Sequence, residues 1–286
     1  MITVFTPSYN RKKELDSLYK SLLKQDNANF EWLIVDDGSN DDTKEYIDRI
    51  KKAKKIKINY IYKENGGKQS AYNLGLDKAK GDIFLCIDSD DILKERILNE
   101  IEKDFKNIAK DKTIAGIMYT QGYISNQNKL IGSEFPEDNM TASYYDVYNK
   151  YKVTGDKLIV LKTNVAKEYY FPLIPGEKFV PEALIFNRIA KNYNFICRNT
   201  IAAYKEYLVG GYSNNYFNLV KRNPLGNSLY YKEAYEFNKS FYNVYGYILF
   251  SIYGKKKFKS ILKEHPAKMK IIILYIPTLI ISIIRR

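Results

Sequence analysis

Residues 81–91 read GDIFLCIDSDD. Five apolar residues, Ile83 to Ile87, follow a glycine and end in three acids, Asp88, Asp90 and Asp91. A short unbroken apolar run with a polar end is the pattern of a strand buried on both faces. The pattern occurs three times upstream, in ITVFTPSYN (2–10), FEWLIVDDGS (30–39) and INYIYKE (58–64). Helical segments lie between these runs. In 11–25, Leu15, Leu18, Tyr19, Leu22 and Leu23 share one helix face. Asp41, Asp42 and Thr43 open a second helix through about Lys51, with acids where the helix dipole favours them. NGGKQSAYNLGLDKAKG (65–81) reads as a glycine turn, a helix and a glycine stop at Gly81. Strands alternating with helices predict an α/β fold with a doubly wound, mostly parallel sheet. Ligands of such sheets bind outside the carboxyl ends of the strands. All four ends here are polar: Thr6 to Asn10, Asp36 to Ser39, Glu64 to Lys68, and Asp88 to Asp90.

Further along, the pattern predicts a helix over 94–109, with Asp91 as a good cap for it. A strand pair is expected in TIAGIMYTQGYIS (113–125), and another strand segment in FICRNTIAAYKEYL (195–208). Beyond Gly210 and Gly211 the pattern becomes a Tyr-rich amphipathic helix over 214–262. The stretch 206–215 reads either as a glycine-hinged lid or as a domain-ending loop. The expected organisation is a catalytic domain (1–205), a helical extension (206–267) and an apolar, basic-flanked tail (268–286).

The 286 residues carry a formal charge of +13, which favours anionic partners. Two cysteines, Cys86 and Cys197, exclude a disulfide scaffold. The lone histidine, His265, excludes Ser-His-Asp chemistry and multi-His metal sites unless it serves itself. No basic n-region precedes the first strand, so no secretory signal is expected. What remains for chemistry is carboxylates, lysine, arginine, tyrosine and hydroxyls. Carboxylates two apart at a strand end repel one another. A hard divalent cation removes that cost, and it prefers oxygen ligands shared with water and substrate phosphates.

As a set, TVFTPSYNR, WLIVDDGSNDDT, NGGKQSAYNLGL and GDIFLCIDSDD resemble the family 2 glycosyltransferases with the GT-A fold. The resemblance covers residues 1 to about 205 and is of the bacterial cell-surface polysaccharide type. It implies that Thr6, Pro7 and Tyr9 line a nucleobase and ribose pocket, and that Asp37 accepts from uracil N3–H. It implies that Lys68 lies near the diphosphate or the base, that Asp88 lies near ribose and sugar, and that Asp90 is the main ligand of Mg²⁺ or Mn²⁺. For the general base it points to GEKFVPEALIFNRIAKN (176–192), with Glu182 at the base position and Glu177 as the rival. Here the sequence departs from the family, whose acid is usually paired; Pro181 precedes Glu182 and Ala183 follows it.

The activity implied is inverting, metal-dependent transfer from a UDP-sugar to a lipid-linked or growing cell-envelope glycan. The expected partners are a nucleotide-sugar donor and a glycan or polyprenyl-diphosphate-linked acceptor. The alternatives are a catalytically degenerate partner subunit and a basic nucleic-acid-binding protein. The second is disfavoured: the basic residues concentrate beside the apolar tail and no nucleic-acid module is present. A nucleotidyltransferase is disfavoured because TPSYNRKKE is a poor phosphate cradle. The tail, apolar from Ile271 to Ile284 apart from Pro277, Thr278 and Ser282, is short for a spanning helix. It reads as an interfacial anchor holding a cytoplasmic enzyme on the inner face of the plasma membrane, with a span or a homodimer contact as alternatives.

Overall fold

The computed structural model describes residues 1–206 and 216–284. In chain order these form β1 (Ile2–Ser8), α1 (Lys12–Leu22), β2 (Phe30–Asp36), α2 (Thr43–Lys52), β3 (Ile58–Tyr62), α3 (Lys68–Lys78), β4 (Ile83–Cys86), β5 (Ile92–Leu93) and α4 (Ile97–Ile108). There follow β6 (Ile114–Tyr123), β7 (Met140–Ala142), α5 (Tyr144–Asn149), β8 (Leu158–Lys162), α6 (Thr163–Ala166), α7 (Ala183–Ile189) and β9 (Asn194–Lys205). The remainder is helical: α8 (Tyr216–Arg222), α9 (Pro224–Phe237), α10 (Phe241–Tyr253), α11 (Phe258–Glu264) and α12 (Lys268–Ile284). The chain divides into two compact units, Met1–Tyr170 with Arg188–Tyr207 and Phe171–Asn187 with Leu208–Arg286.

The first unit is built on one sheet, ordered β3-β2-β1-β4-β8-β6-β9-β5, with β7 beside β9. β1 to β4 are mutually parallel. β8 runs antiparallel between β4 and β6, and β6 and β9 are again parallel. Every residue of β1 and β2 is buried, as the apolar runs require when helices cover both faces. Trp32 stacks on Tyr19 at 6.0 Å, and Phe5 on Phe84 at 5.4 Å. Each such ring withdraws enough apolar surface to contribute about 2–3 kcal/mol.

Several expectations change. The stretch 113–125 is one ten-residue strand, β6, and not a strand pair. The helix expected from residue 94 begins at Ile97, so Asp91 caps nothing; it precedes β5 instead. Gly81 is not a helix stop, because α3 has already ended at Lys78. It is there for closeness: its N–H donates to Thr3 Oγ1, and a Cβ would stand 2.6 Å from the Met1 carbonyl oxygen. Residues 207–215, which hold most of the lid-or-loop stretch, lie outside the described residues.

The second unit takes residues 171–187 with it, where the sequence reading had kept them in the catalytic domain. The Tyr-rich segment is four helices, not one amphipathic helix. Residues 246–252 of α10 are all buried, so this helix is the centre of a small core and not a surface element. His265 closes that core. It is 1% exposed, between the rings of Tyr235 and Tyr247 at 4.8 and 4.7 Å. Its Nδ1 accepts the Ala267 N–H. Burial, with Lys232 and Lys268 nearby, pushes its pKa down to about 4. The unfolded chain therefore binds a proton that the folded chain refuses. The stability this gives is complete above pH ~6.5 and is lost as pH falls towards 4, by about 3 kcal/mol in all. Urea unfolding followed between those pH values should show this loss, and His265→Gln should flatten it.

Candidate active site

The carboxyl ends of β1 to β4 are tied into one edge by polar contacts. Asp37 donates its N–H to the Ser8 carbonyl at 2.8 Å, joining β2 to β1. Asn10, left-handed at φ 52, donates its N–H to the Ser39 hydroxyl oxygen, and its side-chain oxygen accepts the Asn40 N–H. Lys63 donates its N–H to the Asp36 carbonyl, and the Asp36 carboxylate accepts from Tyr60 Oη at 2.6 Å and from the Ser39 N–H. Lys68, at the start of α3, reaches Asp88 at 2.6 Å and so joins the turn after β3 to the turn after β4.

Asp37 is 4% exposed and organises the turn after β3. One oxygen takes the Lys63 ammonium at 2.6 Å and the Gly66 N–H at 2.9 Å. The other takes the Gly67 N–H at 2.8 Å and the Asn65 amide at 3.2 Å. These four donors fill the carboxylate's acceptor positions. A uracil N3–H would meet Asp37 only in exchange for one of them, the Asn65 amide being the longest. Gly67, at φ 91, takes a backbone conformation that a side chain would strain, and it does so with its N–H on Asp37.

The acid turn answers the charge question that the sequence raises. Ile87 leaves the sheet on the Phe5 carbonyl, and the Asp91 N–H folds back to the Asp88 carbonyl. The three acids then have different surroundings. Burial opposes ionisation of Asp88, but Lys68, Lys205 and Arg11 outweigh it and hold its carboxyl below the usual range. Asp91 is buried, and this together with the charges of Asp88 and Asp90 pushes its pKa up to about 8 against the pull of Lys205. Asp90 stays half-buried, and among the described residues no lysine or arginine pairs with it. One acid is therefore paired, one is protonated near neutral pH, and Asp90 is left for a ligand. Lys205, at the end of β9, lies 3.9 Å from Asp91 and 3.1 Å from Asp156, and these acids with Asp88 raise its pKa despite burial.

The other expected residues fall differently. Tyr9 is 48% exposed beyond the end of β1, open to a ligand. Pro7 is buried in the strand. Thr6 is wholly buried, and its hydroxyl accepts the Trp32 indole N–H at 3.0 Å. Its side chain therefore braces the core and does not line a pocket. Ser8, counted in the polar end of the first strand but given no role there, has a buried hydroxyl without a hydrogen-bond partner among the described residues. Lys63, Asn65 and Lys205 were also missed. Lys63 closes the third strand's run and Asn65 opens the glycine turn, but nothing in the sequence joins residue 205 to residue 88.

In the second unit, Glu182 is exposed just before α7, and its carbonyl accepts the Ile185 N–H in the first turn. Glu177 is committed elsewhere. Its two oxygens accept the N–H groups of Leu225 and Gly226, at 2.6 and 2.8 Å, at the start of α9. That is an N-terminal cap for α9.

The donor set limits the metal the site can take. No group of three or more His, Cys, Asp or Glu side chains suited to a metal ion is present among the described residues. Asp88 and Asp90 alone supply two carboxylates, one already paired. This fits Mg²⁺ or Mn²⁺ completed by phosphate oxygens and water, and does not fit a resident metal caged by protein.

A mostly parallel sheet whose strand ends carry an acid turn, a glycine turn and clustered lysines is the architecture of a GT-A nucleotide-sugar enzyme. Residues 3–165 match the sequence model of Glycosyl transferase family 2, and the chain belongs to that family. An uncharacterized glycosyltransferase of Rickettsia conorii is 44% identical over 105 residues, which are 36% of this chain and 17% of that protein's length. The UDP-Glc:alpha-D-GlcNAc-diphosphoundecaprenol beta-1,3-glucosyltransferase WfgD of Escherichia coli is 28% identical over 201 residues, 69% of this chain and 75% of that protein. The crystal structure of S. aureus TarS 1–349 in complex with UDP-GlcNAc superposes with a TM-score of 0.65 at 18% identity, covering 96% of this chain and 89% of that one. At that identity it establishes the GT-A fold and nothing finer.

Proposed function

We propose that the chain is an inverting glycosyltransferase that moves a hexose or N-acetylhexosamine from a UDP-sugar to a lipid-linked or growing cell-envelope glycan. The observation that carries this reading is the joining of four strand ends into one edge where, among the described residues, Asp90 has no cationic partner. WfgD, named for a UDP-glucose donor and a diphosphoundecaprenol-linked acceptor, supports the donor and the acceptor class. TarS, solved with UDP-GlcNAc, supports the same donor carrier.

The roles follow from position. Tyr9 and the Ser8 hydroxyl meet the nucleoside. Asp37 holds the Gly66–Gly67 backbone where a ligand can approach it, with Asn65 as the group that yields to the base. Lys68, Lys205 and Arg11 offset charge beside the acid turn. Asp88 and Asp90 would hold Mg²⁺ or Mn²⁺, which when bound supplies Lewis-acid charge to the diphosphate. The acceptor hydroxyl oxygen bonds to the anomeric carbon as that carbon's bond to the diphosphate oxygen breaks, and Glu182 takes the hydroxyl proton. The enzyme works as a peripheral protein on the cytoplasmic face of the membrane that carries its acceptor. Incubation of the purified chain with radiolabelled UDP-sugars and a bacterial lipid extract tests the reading. Label should move from one UDP-sugar into the lipid or glycan fraction; label that remains in the nucleotide fraction for all of them counts against it.

A further inference from the structure

α12 is apolar on the wrong side for a protein that meets only water. Its inward stripe holds Ile271 with Thr278 and Ser282, both hydroxyls buried. Those hydroxyls are satisfied within the helix: Thr278 donates to the Leu274 carbonyl and Ser282 to the Leu279 carbonyl, each at 2.7 Å. The outward stripe carries Ile272, Ile273, Ile276, Ile280 and Ile283, from 51% to 66% exposed. At 100° per residue these five cover an arc of about 100°, opposite the buried stripe. A surface helix normally shows the reverse, with polar residues outward. A continuous exposed apolar stripe marks a surface that meets another apolar phase.

Length and charge say which phase. The helix has 17 residues, about 25 Å, and no helix among the described residues is long and apolar enough to cross a membrane. Between Gly254 and Lys270 there are seven lysines against one acid, Glu264. Of these, Lys255, Lys257, Lys259 and Lys263 are exposed on the segment leading into α12. Two copies meeting stripe to stripe would leave these lysines without an acidic counterpart, since residues 254–284 carry no acid but Glu264. An anionic lipid surface would instead receive the isoleucines among its acyl chains and the lysines among its headgroups.

We infer that the outward isoleucine stripe of α12, with the lysines of the α10–α11 turn and α11, is a docking surface for anionic phospholipid on which the helix lies flat. This deepens the peripheral placement proposed above and rests on it for biological sense, but not for its physics. The test is co-sedimentation of the full chain with vesicles of phosphatidylcholine alone or mixed with phosphatidylglycerol. Binding should require phosphatidylglycerol and weaken with salt. Ile273→Asp with Ile276→Asp should abolish it without changing the circular dichroism or the affinity for UDP. Because both side chains are exposed, the fold should tolerate the change. Lys257→Gln, Lys259→Gln and Lys263→Gln should each weaken binding about fivefold. Equal binding to neutral vesicles, or none to either kind, would overturn the inference. So would light scattering that shows a dimer which the isoleucine variants dissolve. UDP affinity, read in parallel, reports on the nucleotide site separately.

Discussion

Asp90→Ala is expected to reduce sugar transfer about 10³-fold while leaving the fold and thermal stability near those of the parent. The size of the effect follows from the unequal surroundings of the acid turn. A divalent ion must compete with Lys68 for Asp88, at 2.6 Å, and it meets a buried Asp91 whose pKa is raised to about 8. Asp90 is half-buried with no cation on it among the described residues, and its loss removes the one carboxylate that a divalent ion can claim outright. Stability should hardly change, because among the described residues no hydrogen bond or ion pair of the fold depends on it. The residual activity of the variant should no longer respond to EDTA. Parental turnover by Asp90→Ala with chelator present would contradict the role assigned to it.

Glu182→Gln is expected to lower kcat about 10²-fold or more and to leave UDP affinity unchanged, as for a lost general base. The amide keeps the size and first-turn position of the side chain and removes only its ability to take a proton. Glu177 is the control that separates chemistry from folding. Glu177→Ala deletes the acceptor for two N–H groups at the start of α9 and should cost about 1–2 kcal/mol of stability, with kcat per folded molecule preserved. If Glu177→Gln loses turnover and Glu182→Gln keeps it, the assignment of the base is reversed.

The sheet was legible because β1, β2 and most of β4 are buried on both faces, which forces unbroken apolar runs. The acid turn and the glycine turn were legible because both are contiguous in sequence. Where the reading failed, the cause was tertiary. The family resemblance implied a pocket role for Thr6, but strand alternation sends its side chain to Trp32. Asp37 is already bonded by donors from Lys63, Asn65, Gly66 and Gly67, a set that only the folded turn brings together. Lys205 reaches the site only because β9 is placed in the sheet by pairing with β6, a join no local pattern announces. The division of the chain was misread because residues 171–187 lie before β9 in sequence yet cap α9 through Glu177. The tail's apolar character was plain, but only its packing shows which stripe is left outward.

The central claim is that the joined strand ends form a site for a uridine diphosphate completed by a divalent cation. Calorimetric titration of UDP, with other nucleoside diphosphates as competitors, tests it most directly, first with Mn²⁺ and then with EDTA. Uracil-selective binding that is strong with Mn²⁺ and much weaker with EDTA is expected. Absence of UDP binding under both conditions, or equal binding of every nucleotide regardless of metal, would contradict it.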